Sequence, residues 1–374
     1  MRKANESLPL SAAEAQNIVN RLVAGTAGME LTTFHPGTGL ERVIVDPEFW
    51  KQSYITWDWG PGVALAGLID ADEFSTDGAA YRTVRKFVRY WIDRGLPPQT
   101  VNSTLPYYAM LWLGMRDGEA AMADRARQAA EYCLKDARFC TNGLWNHTGL
   151  YFEWSEQVWI DTVYVAGLLL IRAGEAWSNR EYGDMIFKQV IGHWDALYSA
   201  EAGLLYHGYS VNENHHFSGV FWGRGNAWMA LVLAEMLASR SFDGDRRKIL
   251  LGHWTKLADK LLALQDGTGL WHTVLPDPAS PLEASCTAGF AKAFLQGWRS
   301  GSLDERYRDA GFRAISALRH YVGDTGDLFG TSAGTGVLAD PAEYAAVPMH
   351  HIQPWGQGLA LQAFSEYLRC LKRD

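Results

Sequence analysis

A loop followed by an apolar helix recurs along this chain and constrains its fold more than any other feature of the sequence. The loops carry a Gly-Leu-aromatic step or a close variant, and they begin at Gly143, Gly203, Gly269 and Asp327. The repeat spacing is about 60 residues, which accommodates two helices and their turns. Self-similarity at this period predicts a stacked or closed array of helix pairs rather than a sheet protein.

Two kinds of helical segment alternate between these loops. Six segments are apolar almost all round and rich in small residues: Trp57–Glu73, Leu105–Met115, Val158–Ala173, Trp222–Ala238, Thr287–Trp298 and Gly356–Leu368. Six others are amphipathic: Ala12–Val23, Ala79–Arg94, Glu119–Lys135, Arg180–Tyr198, Arg246–Leu264 and Asp304–Tyr321. Helices that are apolar on every side are buried on every side, and amphipathic helices cover them. The alternation predicts an all-α fold, an (α/α)6 barrel of six inner and six outer helices.

An open α-solenoid is the alternative fold, but a solenoid's concave surface is solvated and the apolar segments do not suit it. No linker, low-complexity tract or block of charge interrupts the pattern. Residues 1–374 are therefore predicted to form a single barrel domain. Short hairpins are expected in the loops Leu204–Ser210 and Phe329–Leu338.

Charge and cysteine content limit the partners and the compartment. The chain has 34 basic and 42 acidic residues and a net charge of −8, which disfavours a nucleic-acid partner. No CxxC pair is present among the four cysteines, which are predicted to be reduced thiols: Cys133, Cys140, Cys286 and Cys370. The N-terminus lacks the apolar core of a signal peptide, and no apolar run reaches the roughly 18 residues of a membrane span. A cytoplasmic protein with no membrane partner is predicted.

Aromatic and polar residues gather where the six apolar segments begin. They are Trp57-Asp58-Trp59, Asn102-Ser103-Thr104, Trp159-Ile160-Asp161, Trp222 to Asn226, Glu283-Ala284-Ser285 and Gln353-Pro354-Trp355. In a barrel these ends meet at one opening. Helix capping accounts for the Asn, Asp and Ser positions one by one, but it does not account for the tryptophans beside them. A binding pocket is therefore favoured over capping and aromatic core packing.

The same ends favour an anionic ligand. Each helix N-terminus carries roughly half a positive charge, and Arg224 adds a full charge with a fork that suits a carboxylate. Metal chemistry has little support, because the adjacent pairs His215-His216 and His350-His351 point apart on regular structure and no HExxH motif is present. No metal and no cofactor are predicted.

Several of these stretches resemble a known enzyme family. They are WDWGPGVALAGL (57–68), QVWIDTVYVAGLLL (157–170), GLLYHGY (203–209), FWGRGNAWMALVLAE (221–235), EASCTAGFAKAF (283–294) and LFGTSAGTGVL (328–338). The chain resembles the family 105 glycoside hydrolases, the unsaturated rhamnogalacturonyl hydrolases, and more distantly the unsaturated glucuronyl hydrolases of family 88. The family fold is the (α/α)6 barrel.

The resemblance implies hydration of the C4=C5 double bond that a polysaccharide lyase leaves on a non-reducing uronic acid, followed by loss of that sugar. The substrate would be a small anionic oligosaccharide of pectin degradation, with unsaturated galacturonyl-rhamnose the expected case. Asp161, in the Trp159-Ile160-Asp161 motif, would be the general acid/base. The implied substrate contacts are Asn102, His207, Arg224, Trp228 and Trp59.

Some positions depart from the family pattern, among them Asn146-His147-Thr148, Ser285-Cys286 and the loop His350 to Gln353. These departures leave open whether the leaving sugar is rhamnose, glucose or an amino sugar. They also leave open the roles of His147 and of the His350-His351 loop. Substrate length and oligomeric state are not determined by the sequence.

Two other functions fit parts of the pattern. A sugar epimerase or isomerase on the same barrel would use paired histidines such as His207 and His272. A non-catalytic carbohydrate-binding helical repeat protein would need no acid at position 161. The motif around Asp161 favours the hydrolase. Two effects compete over the pKa of Asp161: a helix N-terminus lowers it, whereas burial and a bound uronate raise it. The raising effects are expected to win once substrate is bound.

Overall fold

The computed structural model describes residues 10–29, 56–150 and 154–372, and these residues form two concentric layers of helices. The inner helices are α2 (Trp59–Ala71), α4 (Pro106–Asp117), α6 with α7 (Thr162–Val165 and Gly167–Trp177), α9 (Gly223–Ala238), α11 (Ala284–Arg299) and α14 (Pro354–Leu371). The outer helices are α1 (Ala12–Ala27), α3 (Ala79–Arg94), α5 (Ala120–Lys135), α8 (Arg180–Leu197), α10 (Gly244–Ala263) and α12 (Glu305–Leu318). A short helix, α13 (Pro341–Ala345), precedes α14.

Each inner helix packs against the next, and α14 packs against α2, which closes the ring. Hydrophobic patterning explains the two layers. In α9, 15 consecutive residues from Gly223 to Leu237 are buried, whereas α3 buries Ala80, Val84, Phe87 and Val88 on one face. The predicted (α/α)6 barrel is confirmed.

Small residues set the closest approach in the ring, between α2 and α14. A Cβ atom at Gly67 would lie 2.3 Å from the carbonyl oxygen of Gly358, and one at Gly358 would lie 2.1 Å from that of Val63. Real Cβ atoms do not approach backbone so closely. Any side chain at these two positions would therefore force the helices apart where the ring closes.

The inner helices run in the same direction. Side chains near the C-terminal ends of five of them border one cavity, including Asp70 of α2, Arg172 of α7, Glu235 of α9, Lys292 of α11 and Glu366 of α14. Their N-terminal ends therefore lie at the other end of the ring, which we call the mouth. The predicted gathering of the motif residues at one opening follows from this arrangement.

The strands in the described residues are short and occur in three antiparallel pairs. They are β1 (Gln157–Trp159) with β4 (Gly208–Ser210), β2 (Tyr198–Ser199) with β3 (Leu204–Leu205), and β5 (Trp271–His272) with β6 (Leu282–Glu283). The hairpin predicted within Leu204–Ser210 was wrong, because its two strands pair with other strands. The hairpin predicted within Phe329–Leu338 was also wrong, since that segment contains no strand.

The predicted helix Val158–Ala173 also needs correction at its start. Val158 and Trp159 belong to β1, and the helical part is divided at Ala166 into α6 and α7. The apolar run continues through the strand, the turn and both helices, so periodicity alone could not separate them.

Candidate active site

The pairing of β1 with β4 brings Asp161 beside His207. Trp159 lies opposite Gly208, and the N–H of Ile160 donates to the carbonyl oxygen of His207 at 3.0 Å. Asp161 then precedes α6 with helical backbone angles (φ −60°, ψ −35°), and its side chain caps no backbone N–H. The carboxylate is therefore left for contacts across the ring.

Two nitrogen atoms hold that carboxylate. The indole Nε1 of Trp228 donates to Asp161 Oδ1 at 3.1 Å, while the Trp228 ring stacks on Tyr164 with centroids 4.8 Å apart. Asp161 Oδ2 lies 3.2 Å from Nε2 of His207 in a bent contact, and neither atom has a well-aligned hydrogen bond within the described residues. The geometry makes Trp228, a predicted substrate contact, a support for Asp161.

The charge state of Asp161 follows from this environment. Burial raises the pKa of the carboxyl, but the polar contact with His207 and the positive charge of Arg224 outweigh burial and bring the pKa below its usual value. Asp161 is therefore ionised in the free protein. From the sequence, a helix N-terminus was expected to lower the pKa of Asp161. In the structure, His207 is the main cause of the lower pKa.

His207 is enclosed rather than exposed. Its ring packs edge-on to Trp159 and against Trp222, with centroids 5.5 and 4.4 Å away, and 2 % of the residue is exposed. Its Nδ1 lies 2.7 Å from the hydroxyl oxygen of Tyr344. The two ring nitrogens thus face Tyr344 and Asp161. Tyr344 was not identified from the sequence, where 137 residues separate it from His207.

Arg224 has many partners in the protein itself. Its Nη2 donates to the carbonyl oxygen of Ala333 at 2.8 Å and to the hydroxyl of Thr335 at 3.1 Å, and its Nη1 donates to the carbonyl and hydroxyl oxygens of Ser332. Nη1 also lies 3.5 Å from Oε1 of Glu283. The guanidinium group of Arg224 therefore binds the 332–335 loop and forms an ion pair with Glu283. The sequence had suggested that this group binds a substrate carboxylate. A contact between Arg224 and substrate stays a prediction.

The acids beside three inner helix starts have different roles. Asp58 accepts from the N–H of Trp59 at 2.9 Å and caps α2, and burial raises its pKa to about 6. Glu283 caps α11 by accepting from the N–H of Cys286 at 2.5 Å and faces Arg224. Asp161 alone among these three caps no helix. Asp58 and Glu283 therefore have structural roles as helix caps, whereas Asp161 is the candidate catalytic carboxylate.

The tryptophans at the mouth mostly serve packing. Four are at most 2 % exposed: Trp57, Trp222, Trp228 and Trp355. Trp59 is half-buried and packs on Trp355 with centroids 4.5 Å apart. A Cβ atom at Gly334 would lie 3.9 Å from both Trp59 and Trp355. Trp59 is therefore partly exposed at the mouth, as stacking on a sugar would require.

Two polar residues complete the wall near Asp161. Asn102 is 8 % exposed, and its Oδ1 has no hydrogen-bond partner within the described residues. His147 stacks on Trp159 with centroids 4.3 Å apart, and its Nδ1 lies 3.0 Å from the hydroxyl of Thr162. Burial lowers the pKa of His147 to about 4, so its ring is neutral at pH 7. The sequence left the role of His147 open.

Buried histidines should make the protein less stable in mild acid. Burial lowers the pKa of His147 and of His193 to about 4, below the unfolded value of 6.5. Their contribution is complete above pH 6.5 and is lost as the pH falls towards 4, because the unfolded chain binds more protons. Asp58 opposes them, since its pKa of about 6 exceeds the unfolded 3.8. We expect the free energy of unfolding to fall by roughly 2 kcal/mol between pH 7 and pH 5.

Urea denaturation at each pH measures this change. His193→Gln should flatten the decline, whereas substitution of the exposed His320 by Gln should leave it unchanged. A stability that stays constant or rises from pH 7 to pH 5 would contradict the expectation.

The cavity at the end of the ring opposite the mouth has a volume of about 710 Å³. Its buried charges are paired: Glu235 binds Lys292 and Arg172, and Glu366 binds Arg299 and Arg369. Cations also offset the negative C-terminal ends of the inner helices there. The charges that line this cavity are therefore neutralised by one another, whereas the candidate residues around Asp161 lie at the mouth.

Metal and membrane features were searched over residues 10–29, 56–150 and 154–372. No three His, Cys, Asp or Glu side chains in these ranges converge to hold a metal ion. In the same ranges, no helix combines the length and apolar character needed to cross a bilayer.

Comparison with known proteins agrees with this geometry. The model of Glycosyl Hydrolase Family 88 matches residues 43–371. The chain is 33 % identical to the unsaturated rhamnogalacturonyl hydrolase YesR of Bacillus subtilis, over 86 % of this chain and 92 % of that protein. It is 26 % identical to an unsaturated 3S-rhamnoglycuronyl hydrolase of Formosa agariphila, over 88 % of this chain and 90 % of the other.

A solved structure gives the same result for the fold. A possible member of the GH105 family from Salmonella enterica superposes with a TM-score of 0.87 at 26 % identity, covering 96 % of this chain and 95 % of the other. The resemblance predicted from the motifs is confirmed: the chain belongs to Glycosyl Hydrolase Family 88 and is a glycosidase related to the family 105 proteins.

Proposed function

We propose that this protein removes a 4,5-unsaturated uronic acid from the non-reducing end of lyase-generated oligosaccharides, with Asp161 as the general acid/base. The observation that carries the proposal is the setting of Asp161. It is a mouth carboxylate that caps no helix and is held on one oxygen by Trp228 and on the other by His207. The names of two relatives, an unsaturated rhamnogalacturonyl hydrolase and an unsaturated 3S-rhamnoglycuronyl hydrolase, support the same substrate class.

One carboxyl group can serve both proton transfers of this reaction. Asp161 in its acid form gives a proton to C4, and water adds at C5 while its own proton returns to the carboxylate. The resulting hemiketal opens and releases the leaving sugar, so no second carboxylate is needed at the anomeric carbon, unlike ordinary glycoside hydrolysis. Asp161 must first be protonated, and a uronate bound beside it raises its pKa because like charges disfavour ionisation.

The other residues predicted to contact the substrate are proposed to have different roles around Asp161. The unpaired Oδ1 of Asn102 can accept a hydrogen bond from a sugar hydroxyl, and the half-buried ring of Trp59 offers a face for stacking. Arg224 supports the substrate through its positive charge and through the loop it holds. His207 orients Asp161. The leaving sugar proposed is rhamnose, following the named Bacillus relative.

The epimerase alternative requires His207 and His272 to act as a pair, and their contacts do not support such a pair. The Nδ1 of His272 lies 2.5 Å from the carbonyl oxygen of Ser280, and its Nε2 lies 3.8 Å from Asp266. The ring nitrogens of His207 face Asp161 and Tyr344. His207 and His272 therefore contact different groups and do not form a paired acid and base.

A panel of lyase-generated unsaturated disaccharides tests the function. We expect the ultraviolet absorbance of the conjugated double bond to disappear with unsaturated galacturonyl-rhamnose, with stoichiometric release of rhamnose. The saturated disaccharide of the same linkage is the matched control and should not be cleaved. Persistence of the double bond across the panel, or cleavage of the saturated sugar, would contradict the proposal.

We further propose that residues 1–374 act as one barrel domain in the cytoplasm on short oligosaccharides. All four cysteines are free and buried, which is compatible with a reducing compartment.

A further inference from the structure

We propose that Tyr344 is a positioning residue: its hydroxyl donates a hydrogen bond to Nδ1 of His207 and thereby keeps the imidazole proton on Nε2, facing the Asp161 carboxylate. The inference rests on the proposed function only for its effect on turnover. The position of the proton is a property of the free protein.

The surroundings of Tyr344 fix which way its hydroxyl points. Its ring is fully buried in a small apolar cluster with Val220, Trp222 and Val274, separate from the main barrel core. The N–H of Leu338 donates to the Tyr344 oxygen at 3.2 Å. This donor uses a lone pair of the oxygen, and the hydrogen of the hydroxyl stays available for another acceptor.

That acceptor is His207. The Tyr344 oxygen lies 2.7 Å from Nδ1 of His207, within hydrogen-bond distance. A neutral imidazole has one nitrogen that donates and one that accepts. If Nδ1 accepts from Tyr344, the ring proton must lie on Nε2.

The other side of the ring leads independently to the same tautomer. Nε2 of His207 lies 3.2 Å from Oδ2 of Asp161, and the described residues give it no other polar partner. An ionised carboxylate only accepts hydrogen bonds. The opposite tautomer would place a nitrogen lone pair against a negatively charged oxygen. A proton on Nε2 turns this repulsive contact into an attractive one.

This arrangement holds the carboxylate from both sides. Trp228 donates to Oδ1, and Nε2 of His207 lies 3.2 Å from Oδ2 in a bent contact, so a proton on Nε2 lets both neighbours attract Asp161. Without the Tyr344 hydroxyl, the Nδ1 side of the imidazole loses its hydrogen bond, so the ring can turn and Nε2 no longer stays beside Asp161. The carboxylate would rotate away from the position in which it can reach a substrate carbon.

Nitrogen NMR of histidine-labelled protein tests the tautomer directly. At pH 7 the His207 signals, assigned by their loss in His207→Gln, should show a protonated Nε2 and an unprotonated Nδ1. A proton on Nδ1, or on both nitrogens, would overturn the inference. This measurement uses the unmodified protein and needs no substrate, so it decides the tautomer even if the proposed function fails on every sugar tested.

Tyr344→Phe tests the role of the hydroxyl while keeping the ring. We expect the Nδ1 signal of His207 to lose the shift of a hydrogen-bonded acceptor, and kcat for the unsaturated disaccharide to fall about 10- to 100-fold, the range seen when an orienting partner is lost. KM should change less than about threefold, because substrate contacts remain.

Tyr182→Phe is the matched control, since it removes a tyrosine hydrogen bond of the same 2.7 Å length, to Glu131 in the outer layer. It should change neither the His207 signals nor kcat. A Tyr344→Phe protein that retains either the signal of a hydrogen-bonded Nδ1 or its kcat refutes the positioning role. If that variant does not fold, the spectrum of the unmodified protein decides.

Discussion

Asp161→Asn is expected to abolish turnover while the protein stays folded and still binds unsaturated disaccharide. The amide has the size of the carboxyl and can still accept from Trp228, but it cannot donate and recover the proton that the reaction needs. Positioned proton transfer contributes roughly 10²- to 10⁴-fold to rate, so the loss of kcat should be at least of that order. Absorbance of the double bond gives turnover, and calorimetric titration gives binding.

Asp304→Asn provides the comparison. Asp304 caps the outer helix α12 by accepting from the N–H of Arg306 at 2.9 Å, and Asn caps a helix about as well as Asp. This variant should keep full activity. Near-normal turnover in Asp161→Asn would show that another group transfers the proton, and equal losses in both variants would point to a general effect of removing acidic groups.

Arg224→Met is expected to reduce the free energy of unfolding by about 3–5 kcal/mol, the usual cost of removing one member of a buried ion pair. Arg224 is 1 % exposed. Its loss leaves the Glu283 carboxylate buried without its cation and removes one of the donors to each of the carbonyl oxygens of Ser332 and Ala333. Activity should fall as well, because the 332–335 loop leads into Gly334, which lies beside Trp59 and Trp355.

A double-mutant cycle with Glu283→Gln measures how much of that cost belongs to the pair. Removing both charges should cost less than the sum of the two single changes, as urea denaturation can measure. Additive costs would mean that Arg224 acts mainly through the loop.

Arg224→Lys separates stability from substrate binding. Lys keeps the charge but lacks the planar fork, so it cannot serve Ala333, Ser332 and Thr335 together. We expect activity to fall strongly. If stability falls in parallel, Arg224 acts through the loop. Lost activity with retained stability would instead favour a direct contact with the substrate carboxylate.

Local patterns in the sequence were sufficient for the helical layers. Helices depend on contacts three and four residues apart, so periodicity located all twelve helical segments, and Ala79–Arg94 agrees at both ends. Apolar character on every side distinguished inner from outer helices, because burial on all sides is the only stable setting for such a helix. The motif around Asp161 identified the family, which the comparisons confirm.

Only the tertiary structure decided how the motif residues are used. The β1–β4 pairing, which joins segments about 50 residues apart, places His207 against Asp161 and sets its charge state. Closure of the ring commits Arg224 to Glu283 and the 332–335 loop, and it buries tryptophans that the sequence suggested as sugar contacts. The sequence determined which residues are present at the mouth, because helix starts are local. Their partners were not predictable, because those contacts join distant segments and carry no periodic signal.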